Sequence, residues 1–123
     1  MIDKNLIYAV IGVSANPEKY GHKVFKDLLD AGYHDLGINP KGGEILGQTI
    51  YLKLSALPQI PDWLIFVTPP EVSEQLITEA ISLGVKNLWL QPGSESVAAL
   101  ELCRQVGINC ISQACIMIKR QEA

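Results

Sequence analysis

The chain has 123 residues, 48% hydrophobic and 19% charged, with a formal net charge of −3. That length and composition suit one globular domain over 1–123 with its own core, and they exclude an intrinsically disordered chain. The acidic balance argues against a general nucleic-acid partner.

The N-terminus, Met1 to Asn5, is too polar for a signal peptide. The longest apolar run, Leu6 to Val13, falls far short of the roughly 20 residues that cross a bilayer. A soluble, reducing, cytoplasmic setting with no membrane partner is expected. The three cysteines, at 103, 110 and 115, show no CxxC spacing and suggest neither a disulfide framework nor a metal site.

Leu6 to Ile11 is an unbroken apolar run that suits a strand buried on both faces, and Gly12 closes it. After a loop from Ser14 to Tyr20, the spacing of Val24, Phe25, Leu28 and Leu29 predicts a helix, with Gly32 at its C-terminal end. A short second strand, His34 to Ile38, runs into Asn39-Pro40-Lys41-Gly42-Gly43, where no regular element fits. Glu44 to Pro61 carries no clear period beyond one helical turn at Leu54–Leu57.

Trp63 to Val67 reads as the third strand. Thr68-Pro69-Pro70-Glu71 then has the form of a capping box, ahead of a helix whose apolar stripe is Val72, Leu76, Ile77, Ala80 and Ile81. Asn87 to Leu90 reads as the fourth strand. Ser94 is the expected N-cap of the next helix, which Gly107 ends, and Ile108 to Ile111 reads as the fifth strand. Cys115 to Ile118 either pairs as a last short strand or packs down. Strands alternating with helices predict an α/β, doubly wound, mainly parallel sheet of five to six strands with right-handed crossovers.

Ligands of such sheets bind beyond the carboxyl ends of the strands. Four strands end there in small, polar or proline-stiffened turns, which begin at Gly12, Asn39, Thr68 and Gln91. Gly12 followed by small residues lets a backbone approach a phosphate. The dinucleotide fingerprint GxGxxG is absent, and the second strand offers Asn39 and Lys41 where an NAD site needs an acid. Lys41 suits a phosphate on a ribose, as in NADP or coenzyme A, although a lone loop lysine is more often simply solvated. His22 and His34 lie near opposite ends of the first helix, and no GxSxG, HExxH or paired-carboxylate motif occurs, so no catalytic or metal residues are assigned. Cys103 and Cys110 read as core; Cys115 could stand near the ligand edge.

Gly12-Val13-Ser14-Ala15-Asn16-Pro17-Glu18-Lys19-Tyr20-Gly21, Asn39-Pro40-Lys41 with Gly47, Pro69-Pro70, Trp89-Leu90-Gln91 and Cys115-Ile116 together resemble the small stand-alone CoA-binding proteins. They are also similar to the N-terminal CoA-binding domain of the succinyl-CoA synthetase alpha subunit. The resemblance implies a Rossmann-like fold with CoA or acyl-CoA over the carboxyl edge. Gly12, Val13, Ser14, Ala15 and Asn16 would face the diphosphate, Lys41 would meet a CoA phosphate, and Lys19 and Pro40 would also belong to the cofactor-binding residues. Val67, Thr68 and Pro69 would line the adenine or pantetheine path, with Gln91 near its far end. Gln113-Ala114 stands where many relatives have Asp-Arg. The synthetase's ligase chemistry also needs a domain with a phosphorylated histidine and a beta subunit, so it does not follow from the likeness. The expected function is CoA binding without evident catalysis, with a protein partner or homo-oligomer open. A small NADP-dependent oxidoreductase, an acyl-CoA-handling enzyme and a CoA-sensing regulatory module are the alternatives.

Overall fold

The computed structural model of the chain describes residues 2–122; Met1 and Ala123, the ends of the expected 1–123 span, lie outside the described residues. Seven strands form the sheet: β1 (Ile7–Ile11), β2 (His34–Ile38), β3 (Glu44–Ile45), β4 (Gln48–Tyr51), β5 (Trp63–Phe66), β6 (Asn87–Leu90) and β7 (Asn109–Ile111). Four helices accompany them: α1 (Tyr20–Asp30), α2 (Pro70–Ser82), α3 (Val97–Val106) and α4 (Ile116–Gln121). A 3₁₀ turn spans Leu54–Ala56. The strand order is β3-β4-β2-β1-β5-β6-β7, parallel throughout except for the β3–β4 pair.

Side-chain alternation along β1 explains the layers. Tyr8 and Val10 pack on one face with Phe25 and Leu28 of α1 and Ile116 of α4. Ala9 and Ile11 pack on the other with Ile77 and Ala80 of α2 and Ala99 and Cys103 of α3. Burying each large apolar side chain in these two layers contributes about 1.5–3 kcal/mol. That two-sided burial is why β1, β5 and β6 are continuous apolar runs. No helix among the described residues is long and apolar enough to cross a membrane.

Three local expectations are corrected. The sheet has seven strands, not five or six, because Glu44–Tyr51 folds as a β3–β4 hairpin. Its two-residue turn puts Leu46 and Gly47 at φ 54° and 76°. A leucine in the left-handed region is unfavourable, so Leu-Gly carries no hairpin signal as Asn-Gly would. Of the two alternatives for Cys115 to Ile118, packing down is the one realised: Cys115 precedes α4, whose Ile116 is buried in the first layer. Arg120 of α4 donates twice to Asp27 of α1, at 2.8 and 2.7 Å.

The capping box does not form. Pro69, not Thr68, is the first flanking residue of α2. The Thr68 hydroxyl instead shares a 2.7 Å hydrogen bond with the Ser73 hydroxyl. The cap of α3 is Ser96, whose Oγ accepts from the Ala99 N–H at 3.0 Å. Ser94 ties two loops together, its Oγ accepting from the Thr68 N–H at 3.0 Å.

Candidate functional site

From β1 the chain winds one way through β2 and β4, then returns to build β5, β6 and β7 on the other side. The loops that leave β1 and β5 therefore part at their carboxyl ends, which is where an open parallel sheet forms a ligand crevice. Three adjoining hollows open there. One of about 550 Å³ is walled by Gly12, Val13, Lys19, Val67, Thr68 and Pro69, among others. A second of about 420 Å³ lies across Ser14 and is walled by Ala15, Asn16 and Gly42. Lys19, Asn39 and Lys41 border both. The third, about 160 Å³, is apolar, with Ile38, Pro40, Leu52 and Val72 beside Gly12 and Thr68.

The floor of the crevice depends on two glycines. Gly12 has φ 97°, and a Cβ there would stand 2.1 Å from the Val67 carbonyl oxygen. Gly21, in the first turn of α1, lets the helix touch β1: a Cβ on it would stand 1.9 Å from the Gly12 carbonyl oxygen. Gly12 makes the tight turn and Gly21 the close helix–strand packing that the first and third glycines of GxGxxG provide elsewhere, at a spacing the fingerprint does not describe.

Side chains then tie the turn. The Asn39 Nδ2 donates to the Val13 carbonyl at 2.6 Å, and its Oδ1 accepts from the Lys41 N–H at 2.8 Å. The His22 Nδ1 lies 2.8 Å from the Ser14 carbonyl and donates to it. Later amides of the turn are satisfied internally, Asn16 N–H by the Ser14 hydroxyl and Glu18 N–H by the Asn16 Oδ1. Among the described residues, the N–H groups of Ser14 and Ala15, which are not buried, meet no acceptor. Free backbone donors beside two lysines make a setting for an anion.

Of the residues singled out from sequence, eleven border these hollows: Gly12, Val13, Ser14, Ala15, Asn16, Lys19, Pro40, Lys41, Val67, Thr68 and Pro69. Gln91 stands apart. It is buried, its Oε1 accepts from the Ile116 N–H at 2.8 Å, and its Nε2 donates to the Cys115 Sγ at 3.4 Å. Its polar atoms hold the start of α4 rather than open on the crevice. His22 and Asn39 were not among the expected site residues, because their partners, eight and 26 positions away, become neighbours only on folding. A hollow of about 690 Å³ at the opposite sheet edge, beside Lys4, Tyr33 and Arg120, is larger. It lacks the strand-end turns, and Arg120 there is already paired with Asp27.

Residues 7–121 match the CoA binding domain family. The chain belongs to that family. The uncharacterized protein YneT of Bacillus subtilis is 30% identical over 113 residues that cover 89% of this chain and 82% of YneT. A conserved hypothetical protein from Pyrococcus furiosus has a solved structure that superposes with a TM-score of 0.89 at 38% identity, covering 93% of this chain and 98% of that one. The alpha subunit of the ADP-forming acetate–CoA ligase II of P. furiosus is 27% identical over 126 residues. That alignment takes in 94% of this CoA-binding domain but only 28% of the ligase subunit.

Proposed function

We propose that residues 1–123 act as one domain that binds coenzyme A, free or acylated, in the crevice at the carboxyl edge of the sheet. The observation that carries the reading is the turn Gly12–Asn16, with the free amides of Ser14 and Ala15, set between two hollows that both contain Lys19 and Lys41. A ligand with phosphates at two places and an apolar portion suits that layout. The Ser14 and Ala15 amides and Lys19 would hold the diphosphate, and Lys41 the ribose phosphate. The apolar hollow beside Pro40 and Thr68 suits the adenine or the pantetheine arm, with Val67 and Pro69 along the path. The name of the acetate–CoA ligase relative supports the same ligand class.

NAD fits less well. It carries no ribose phosphate for Lys41 to meet, and Asn39, which stands where a ribose-binding acid would, is held by Val13 and Lys41. Isothermal titration with CoA, dephospho-CoA, NAD and NADP tests the reading. CoA should bind, dephospho-CoA should bind more weakly, and NAD should give no heat. Tight NAD binding with no response to CoA would overturn it.

A further inference from the structure

Three consecutive carbonyls of the first turn are covered from the protein side. The Gly12 oxygen faces the Gly21 backbone, Asn39 holds the Val13 oxygen at 2.6 Å, and His22 holds the Ser14 oxygen at 2.8 Å. All described peptide bonds are trans. In a trans peptide the C=O and N–H point in opposite directions. Fixing the Val13 oxygen therefore aims the Ser14 N–H away from Asn39, and fixing the Ser14 oxygen aims the Ala15 N–H away from His22. Both N–H groups are without an acceptor among the described residues, and both residues border the hollows described above.

We propose that His22 and Asn39 are positioning residues which hold the Val13–Ser14 and Ser14–Ala15 peptides so that their N–H groups form an anion-binding pair. The inference rests on the reading of the crevice as a phosphate site, and it assigns the orientation of that site to two side chains that need not touch the ligand. His22 suits the task. It is 8% exposed, so water competes little for the bond. Its Nδ1–H donates from the neutral Nδ1 tautomer and from the imidazolium alike, so a change of charge on the ring does not withdraw the donor. Asn39 works on both sides at once: its Nδ2 fixes the first turn while its Oδ1 fixes the Lys41 amide.

The probe is inorganic pyrophosphate, titrated into ¹⁵N-labelled protein. In the native protein the Ser14 and Ala15 amide protons should move downfield and saturate. In His22→Leu, which keeps an apolar body but removes the donor, the Ala15 response should collapse while Ser14 still responds. Asn39→Leu should reverse the pattern. CoA affinity should fall about ten- to a hundredfold in each, the range for lost hydrogen bonds to a charged group. His22→Asn, which returns an N–H near the Nδ1 position, should recover most of the loss.

An unchanged Ala15 response in folded His22→Leu would overturn the assignment while leaving CoA binding intact as a separate result. Native amides that respond to pyrophosphate without any CoA binding would uphold the anion site and sink the CoA reading. No native response to either would sink both. If His22→Leu does not fold, ¹⁵N spectra of the native imidazole decide the point: the Nδ1–H form is expected, and an Nε2–H tautomer with bare Nδ1 overturns the proposal.

Discussion

Gly21 seats the first turn of α1 against the carbonyl of Gly12 so closely that an added Cβ would lie 1.9 Å from that oxygen. The obstacle is backbone, which cannot swing aside as a side chain could. The sign of one substitution therefore reports the contact. Glycine within a helix is ordinarily improved by alanine, by about 1 kcal/mol. Gly21→Ala should instead destabilise by about 1–3 kcal/mol, the usual range for overpacking. It should also abolish CoA binding by displacing the turn. Urea unfolding measures the first effect and titration the second; a stabilised variant would show that the helix stands off the turn.

Lys41 is exposed and borders both polar hollows. Lys41→Ala should weaken CoA about ten- to a hundredfold, as expected when a charge-assisted bond of roughly 1.5–3 kcal/mol is lost. Dephospho-CoA should be affected much less. Equal weakening of the two ligands, or none, would remove Lys41 from the ribose phosphate.

Gln91 separates a structural role from a ligand contact. Its Oε1 is the acceptor for the buried Ile116 N–H, so Gln91→Leu strands that group and should destabilise the fold by about 1–3 kcal/mol. CoA affinity, measured well below the unfolding transition, should change little. A fall in affinity with stability preserved would place Gln91 in the ligand path after all.

Asp35 is buried on β2, neither carboxylate oxygen has a partner among the described residues, and desolvation holds its pKa well above the usual carboxylate value of 3.8. The folded state thus favours the protonated acid. Its contribution is fully present below the unfolded pKa and is lost as pH rises through the folded one. Asp35→Asn, neutral at every pH, should lack that decline, so its stability relative to the native protein should grow from pH 4 towards pH 8. Chemical denaturation at several pH values checks this; a constant difference would mean that Asp35 is ionised at little penalty.

Much of the architecture was legible because burial on two faces writes a continuous apolar run into the chain. β5 at Trp63–Phe66 and β6 at Asn87–Leu90 fall where the pattern puts them. The turns at Gly12, Asn39 and Thr68 were legible for a related reason: a backbone that must bend sharply selects glycine, proline and small polar residues. Eleven of the expected site residues accordingly border one crevice.

What the chain alone determined, then, was whatever depends on local conformational preference and on apolar periodicity: the alternation of strands and helices, and the sheet edge at which the glycine- and proline-rich turns lie. Tertiary structure decided the pairings. The β3–β4 hairpin exists because β4 can pair with β2, which compensates for the strained Leu46. Thr68 leaves the capping role for Ser73 and Ser94, and Gln91 turns from the crevice to Ile116. His22 and Asn39 reach carbonyls on a different segment from their own. A hydrogen bond between distant residues has no periodicity, and its energy exists only once the fold has brought donor and acceptor together.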